Sequence, residues 1–352
     1  MPALPPPSLR LDLDTRALAD NWRTLDRMSG RAVAGAAVKA DAYGLGAGRA
    51  VSALAAAGAR DFFVAHWSEV PAVLAHVPAS QVSVLHGPLT AADCAFARDT
   101  GVRPVLNSLE QVARWRAAGG GPCDLMVDSG INRLGLPPAA LGDPLVQGLP
   151  IDTLMSHLAS ADEDSQQNLA QLTRFEGACA ALPARRRSLA NSAGIALGEA
   201  YRFDLTRPGL ALYGGVPRPE FAGIIQQVAY PRAAVLQVRT LEPGDRVGYN
   251  GQFVAPSAMR VGVVSIGYAD GFLRCREPGE TFGFGGAALP VLGKVSMDMV
   301  VVDLADSGAG EGDWLDIPFD LPTIAERAGL SQYELLTTLG PRFARTPEPA
   351  TG

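Results

Sequence analysis

The segment Ala36-Ala37-Val38-Lys39-Ala40-Asp41-Ala42-Tyr43-Gly44-Leu45-Gly46 carries the residue with the clearest chemical potential. Lys39 ends the apolar, β-type run Val33–Lys39. Desolvation there disfavours the ammonium, and the neutral amine is a nucleophile and a Schiff-base former. The glycines that follow let a ligand come close to the backbone. The alternative is a lysine whose stem packs on the strand while its head reaches water. Two segments further on have the composition of an anion site. Asn191-Ser192-Ala193-Gly194 offers a hydroxyl, and Thr206-Arg207-Pro208-Gly209-Leu210 offers backbone N–H groups and a guanidinium whose aim is restricted by the following proline. Taken singly, each also reads as an ordinary turn. Val127-Asp128-Ser129-Gly130-Ile131-Asn132-Arg133-Leu134-Gly135 places an arginine among glycines, a pattern suited to clamping a carboxylate. Gly248-Tyr249-Asn250-Gly251 projects a tyrosine from a tight turn or leaves it on an edge strand. Gly267-Tyr268-Ala269-Asp270-Gly271 and Ser296-Met297-Asp298 complete the set, although Met297 alone reads as core.

The elements that must position these residues fall into two textures. From Arg31 to Tyr213, short apolar runs alternate with helical patterns. The expected strands are Val33–Lys39, Phe62–Ala65, Val82–His86, Val102–Leu106, Leu125–Val127, Ile151–His157, Ser188–Ala190 and Asp204–Tyr213. The expected helices are Gly48–Ala57, Glu69–Val77, Ala91–Arg98, Leu109–Ala118 and Gln166–Ala181. Asn107-Ser108 and Asp164-Ser165 provide N-caps, and Gly58 and Gly119 provide stops. Such alternation implies parallel strands with right-handed crossovers. Eight strands in about 200 residues fit an N-terminal (β/α)8 TIM-type barrel, whose ligands bind at the C-terminal mouth where Lys39 would lie. A doubly wound open sheet is the competitor, and the lack of a glycine-rich dinucleotide fingerprint after the first strand counts against it.

After Gly215, segments rich in Val, Tyr, Phe and Gly take over: Ile224–Leu241, Arg246–Val254, Arg260–Tyr268, Thr281–Val291 and Met299–Leu304. Pro243-Gly244 and Gly285-Gly286 mark turns, and two short helices follow near 321–328 and 332–339. The fold class is therefore α/β plus all-β. Residues 10–221 are expected to form the barrel and 222–352 a C-terminal β-rich domain, with the N-terminal stretch 1–13 associated with the latter.

The chain has 352 residues, 47% of them hydrophobic and 19% charged, enough for a substantial core and against disorder. Its formal net charge is −6, and Arg185-Arg186-Arg187 is its basic run, so a nucleic-acid partner is not expected. The longest stretch free of Asp, Glu, Lys and Arg, Val70 to Ala92, contains Pro71, Pro78 and Pro88, which argues against a membrane span. Cys94, Cys123, Cys179 and Cys275 have neither metal-ligand nor redox spacing, so no metal is expected and a cytoplasmic setting is.

In combination, the Lys39-Ala40-Asp41-Ala42-Tyr43-Gly44, Arg207-Pro208-Gly209 and Gly267-Tyr268-Ala269-Asp270-Gly271 runs resemble the alanine racemase family, pyridoxal-phosphate enzymes of fold type III. The resemblance extends from about Leu9 to Arg345. It implies a homodimer with shared active sites, acting on a small amino-acid substrate. Lys39 would bind pyridoxal 5′-phosphate covalently and act as one base, with Tyr249 of the partner subunit as the other. Tyr43, Ser192, Gly209 and Leu210 match phosphate binders, and Arg207 matches the residue facing the pyridine nitrogen. Arg133 and Met297 match residues that hold the substrate carboxylate. His157 matches a histidine linking the tyrosine and arginine networks; alone, it reads as a barrel histidine satisfied by its neighbours. Tyr268 and the loop of Met297 and Asp298 would bound the pocket. Three departures stand out. Met126 replaces a lysine that is carbamylated in some relatives, and Leu45 replaces a histidine. Thr338-Leu339-Gly340-Pro341-Arg342 lacks a tyrosine found near the cofactor phosphate in some relatives. The alternatives are a broad-specificity racemase acting on serine or larger amino acids, a catalytically silent cofactor carrier and a decarboxylase. The β domain with Tyr249 disfavours the carrier. A decarboxylase would be expected to lack the Gly248–Gly251 turn and to carry acidic and cysteine contacts in that domain.

Overall fold

A computed structural model describes residues 5–277 and 279–345. The chain divides into two units, Thr15–Gln226 and a second that joins the residues up to Asp14 with those from Gln227 on.

In the first unit, seven parallel strands pair in sequence order. They are Ala36–Ala37, Phe62–Val64, Val82–Val84, Arg103–Leu106, Cys123–Met126, Ile151–Met155 and Arg186–Ser188. An eighth, Leu205–Thr206, pairs in parallel with Val33–Ala34, the first part of the opening strand. It meets the seventh strand through Asp204 N–H to Arg187 C=O at 3.0 Å and Arg207 N–H to Ala190 C=O at 2.8 Å. The ring of eight parallel strands is thereby closed, as expected for the barrel. Phe63, Val105, Met126, Met155 and Leu205 fill its interior.

Several expected elements resolve differently: Glu69–Val77 is a 3₁₀ turn over Trp67–Glu69 followed by a helix over Val70–Leu74, and the strand expected at Ser188–Ala190 runs over Arg186–Ser188. The run 204–213 is a strand only over Leu205–Thr206; Pro208 removes a ladder donor, and Leu210–Tyr213 forms a 3₁₀ turn. The first strand stops at Ala37, and Lys39 opens a short helical segment, Lys39–Tyr43. The helix Gln166–Ala181 has the expected bounds, with Ser165 Oγ accepting from Gln167 N. Leu109–Ala117 is capped by Ser108, whose Oγ accepts from Gln111 N.

The second unit is antiparallel. Its longest strand, Ala229–Leu241, carries a bulge between Val235 and Gln237 that re-aims it. Its first half pairs with Leu9–Leu13 and Trp314–Asp316, and its second half with Met259–Val264. Val300–Asp303, Ala287–Leu292 and Thr281–Phe284 complete a closed circuit back to Trp314–Asp316. The expected single run 281–291 is a hairpin turning at Gly285-Gly286. In Leu9–Leu13 the leucines are buried and the residues between them only partly so. Among the described residues no helix is long and apolar enough to cross a membrane.

Candidate active site

Lys39 follows the last ladder bond of its strand, Val38 N–H to Phe63 C=O at 2.9 Å. Ala40, Asp41, Ala42 and Tyr43 then take φ of 53°, 53°, 53° and 57°, a full turn of left-handed conformation with no glycine in it. Each such residue costs about 1–2 kcal/mol, so the turn persists only because its surroundings hold it. Ala42 N–H donates to Val38 C=O at 2.9 Å, Gly44 N–H to Ala40 C=O at 2.8 Å, and Ala47 N–H to Asp41 Oδ1 at 2.7 Å. The result fixes the backbone on which Lys39 is mounted. Burial lowers the proton affinity of Lys39; Arg133 lowers it further, Glu69 raises it and Arg207 lowers it. The net effect favours the neutral amine.

A polar cradle adjoins this turn. The buried Ser192 Oγ accepts from Gly209 N at 2.9 Å and Ala211 N at 3.2 Å, at the opening of the Leu210–Tyr213 turn. Gly209 is required there: a Cβ would lie 2.2 Å from the Tyr43 hydroxyl oxygen. Tyr43 stacks on Tyr213 with ring centroids 4.7 Å apart, and the Tyr213 hydroxyl donates to Ala37 C=O at 2.9 Å. The cradle is thus tied to the strand that carries Lys39. Two hydroxyls and a cluster of backbone N–H groups form a donor set for a phosphate.

Arg207 is 7% exposed; its guanidinium donates to Ser188 Oγ and Ser156 C=O. Burial lowers it to about 10, with Asp124 acting in opposition. His157, at the end of the sixth strand, is pushed down to about 3 by burial and by the charges of Arg207, Arg133 and Lys39. It is therefore neutral in ordinary buffers. Arg133 is exposed on a loop whose base is the bridge between Val127 and Leu136. Asp128 Oδ1 shapes that loop by accepting from the N–H groups of Gly130, Ile131 and Asn132 at 2.8, 3.0 and 3.1 Å. Met126 lies in the apolar barrel interior, so no charged group at that position braces Arg133. Leu45 is fully buried.

The first unit therefore brings together Lys39, Tyr43, Arg133, His157, Ser192, Arg207, Gly209 and Leu210. The other four residues belong to the second unit. Tyr249 is 64% exposed on a turn in which Gly248, Asn250 and Gly251 all take positive φ. Tyr268 and Met297 sit on adjoining loops, joined by Tyr268 N–H to Ser296 C=O and Ala269 N–H to Met297 C=O, each at 3.1 Å. Gly267 permits this approach, since a Cβ would lie 2.3 Å from Met297 O. Asp298 accepts from Arg342 Nη1 at 2.6 Å, and Arg342 also grips the buried Asp270 through Nε and Nη2 at 2.7 and 2.8 Å.

Sequence reading missed Arg342, Tyr213 and Glu69. Arg342 entered it only as part of a segment lacking a tyrosine, and its two aspartates lie 72 and 44 residues away. Glu69 was read as an ordinary helix residue, yet its carboxylate accepts from the backbone directly after Lys39.

Comparison with known proteins agrees with this geometry. Family models for the alanine racemase N-terminal and C-terminal domains match residues 13–217 and 228–347. An alanine racemase from Acidiphilium cryptum is 42% identical, covering 95% of this chain and 97% of the relative. A relative from Agrobacterium fabrum named "Alanine racemase, biosynthetic" is 40% identical, covering 96% and 93%. The crystal structure of alanine racemase from Bartonella henselae with covalently bound pyridoxal phosphate superposes with a TM-score of 0.88 at 34% identity, covering 97% of this chain and 99% of that one. The biosynthetic enzyme from Pseudomonas aeruginosa superposes with a TM-score of 0.85 at 33% identity and the same coverage.

Proposed function

The chain belongs to the alanine racemase family, and from that premise we propose that it interconverts L- and D-alanine by two bases, Lys39 and Tyr249 of the partner subunit. It is an isomerase, and pyridoxal 5′-phosphate is its cofactor. The observation that carries the reading is one barrel mouth combining a lysine biased toward its neutral form with a donor-rich phosphate cradle. The fit to the cofactor is local: Ser192, Tyr43, Gly209 and Leu210 would hold the phosphate, and Lys39 would hold the aldehyde carbon. When bound, the cofactor supplies an electron sink that acidifies the Cα–H of an amino acid.

The remaining work falls to the chain's own groups. Inversion needs a proton removed from one face and delivered to the other, which two bases on opposite faces accomplish without either moving across. Lys39 Nζ serves one face. Tyr249 Oη, from the partner subunit, serves the other. Its exposed turn leaves the hydroxyl available to a second copy. Arg133 and the Met297 loop orient the substrate carboxylate. Arg207 cannot accept a proton and can only donate, so facing the cofactor's ring nitrogen it would hold that nitrogen unprotonated. With less charge held on the bound cofactor's ring, transamination would be disfavoured. A homodimer in the cytoplasm completes the proposal.

Mixing two inactive proteins tests the shared site. Lys39→Ala and Tyr249→Phe subunits, unfolded and reassembled together, should recover about a quarter of wild-type racemisation. Half the random dimers are mixed, and each mixed dimer has one intact site. No recovery, with mixed dimers demonstrated by mass, would rule out Tyr249 acting across subunits.

A further inference from the structure

We infer that Glu69 is a positioning residue for Lys39, holding the strained backbone that presents the amine; this rests on the reading of Lys39 as cofactor anchor and base. Glu69 lies at the end of the short 3₁₀ turn Trp67–Glu69, just after the second barrel strand. Its Oε2 accepts from Ala65 N at 2.7 Å and His66 N at 2.9 Å, the two residues that leave that strand. Its Oε1 accepts from Ala40 N, the peptide immediately after Lys39. One carboxylate therefore ties the mouths of two adjacent strands together, and Lys39 sits at the joint.

The need for such a tie follows from the backbone. Ala40 begins the left-handed run, φ 53°, and none of its four residues is glycine. That conformation is unfavourable for residues bearing a Cβ and survives where outside contacts over-determine it. The bonds from Ala42 N–H to Val38 C=O, Gly44 N–H to Ala40 C=O and Ala47 N–H to Asp41 Oδ1 lie within residues 38–47. The bond to Glu69 reaches outside them and fixes the turn against the barrel wall. A charged acceptor is stronger there than a neutral one.

The same carboxylate acts on the amine by charge. Arg133 and Arg207 both favour loss of the Lys39 proton, and Glu69 opposes them. Two titratable neighbours, His86 and His157, are depressed mainly by burial, with the charge of Lys39 adding to it. Their rings lie on the third and sixth strand ends, and His86 meets His66 edge to face at 4.3 Å. Glu69 is thus the acid in a cationic neighbourhood. Its oxygens are already committed to backbone N–H groups, so it holds the lysine's mounting without neutralising the site.

The test uses cofactor-stripped protein as well as holoenzyme. Lys39 acylation by a small amine reagent is followed across pH by peptide mass spectrometry, and capture of added pyridoxal phosphate by borohydride fixation at Lys39. In Glu69→Gln, Lys39 should acylate about three- to tenfold faster at pH below its midpoint, because an opposing charge has gone. Capture should slow by about tenfold, because the mounting has loosened. Glu69→Asp keeps the charge but falls short by one methylene. It should leave the acylation midpoint near wild type and still slow capture, and it stands in wherever Glu69→Gln fails to fold. Wild-type acylation and capture in a folded variant, whatever its thermal stability, would overturn the inference. Failure of the wild-type protein to capture the cofactor at Lys39 would instead overturn the underlying reading, leaving the acylation midpoints to report on Glu69 alone.

Discussion

The two ends of the barrel handle charge in opposite ways. At the N-terminal end, Arg103, Arg185 and Arg186 face Asp61, Asp124 and Asp152, three cations against three anions. Arg186 donates to both Asp61 oxygens at 2.8 and 2.6 Å, and Ser83 and Thr153 donate to Asp124 at 2.6 and 3.0 Å. At the C-terminal end, Lys39, Arg133 and Arg207 converge with Glu69 as the opposing acid. The two sets share the second strand, flanked by Asp61 and Glu69, and the fifth, which carries Asp124 and leads to Arg133; the other members stand on different strands of the same barrel. One end satisfies its charge internally and is suited to stability; the other keeps a positive surplus that only an anionic ligand completes.

The largest expected effect breaks the mouth alone. Lys39→Ala should lower racemisation by about 10²- to 10⁴-fold, the range for losing a positioned acid–base group. Its thermal stability should match or exceed wild type, because a desolvated amine beside two guanidiniums is removed. A clear fall in melting temperature would show that the mouth is as structural as the base. The reciprocal change is Arg103→Ala, which leaves buried carboxylates with one fewer partner. It should cost about 3–5 kcal/mol in denaturant unfolding, with kcat per folded molecule unchanged. A kcat that drops with stability intact would erase the division between the ends.

The mouth was legible in the sequence and the base was not, for a physical reason. Lys39, Ser192, Arg207 and Gly209 occur in short runs where a catalytic residue type stands beside glycine or proline, so local pattern exposes them. Arg103, Asp124 and Arg186 stand at the first or second position of their strands, Arg186 inside a run that reads only as surface charge, and their pairing depends on which strands become neighbours. Glu69 and Arg342 escaped for the same reason: each bonds backbone or carboxylates that are distant in sequence. The alternation of elements revealed eight strands, but Pro208 and the left-handed turn after Lys39 trimmed two of them. That turn had no warning, since Ala40, Asp41 and Ala42 otherwise suit a right-handed helix or its cap.

Acid should separate the two ends by pH. His157 is pushed from its usual 6.5 to about 3 in the folded mouth. Between those values the unfolded chain binds a proton that the folded chain refuses, so stability falls as pH drops through this window. The slope is up to about 1.4 kcal/mol per pH unit. At the base, burial works to raise Asp152, but Arg185, Arg103 and Arg186 prevail and hold it at about 2. Its folded form is the ionised one, so its contribution is intact above 3.8 and is lost only between there and about 2. Loss of stability between pH 6.5 and about 5 should therefore come from the mouth, before carboxylates elsewhere begin to protonate. His157→Gln should flatten that segment in urea titrations and leave the decline below pH 4 in place; an unchanged slope would show that another group carries it.

The smallest effect asks whether the mouth's cation surplus is usable before any cofactor binds. Inorganic phosphate offered to the stripped protein meets the Ser192 hydroxyl, the N–H groups near Gly209 and the Tyr43 hydroxyl, with Lys39 and Arg207 nearby. Binding only to the folded state at ten times its Kd would add about 1.4 kcal/mol, a rise in Tm of about 2 °C for a chain of this length. Chloride at equal ionic strength should not reproduce it, because the base pairs are too buried for salt to matter much and the cradle recognises geometry as well as charge. Gly209→Ala should abolish the phosphate effect, since its Cβ would occupy the place of the Tyr43 hydroxyl. Equal protection by chloride, or protection that survives Gly209→Ala, would mean that the surplus acts only as a diffuse field and that the cradle takes its shape from the cofactor.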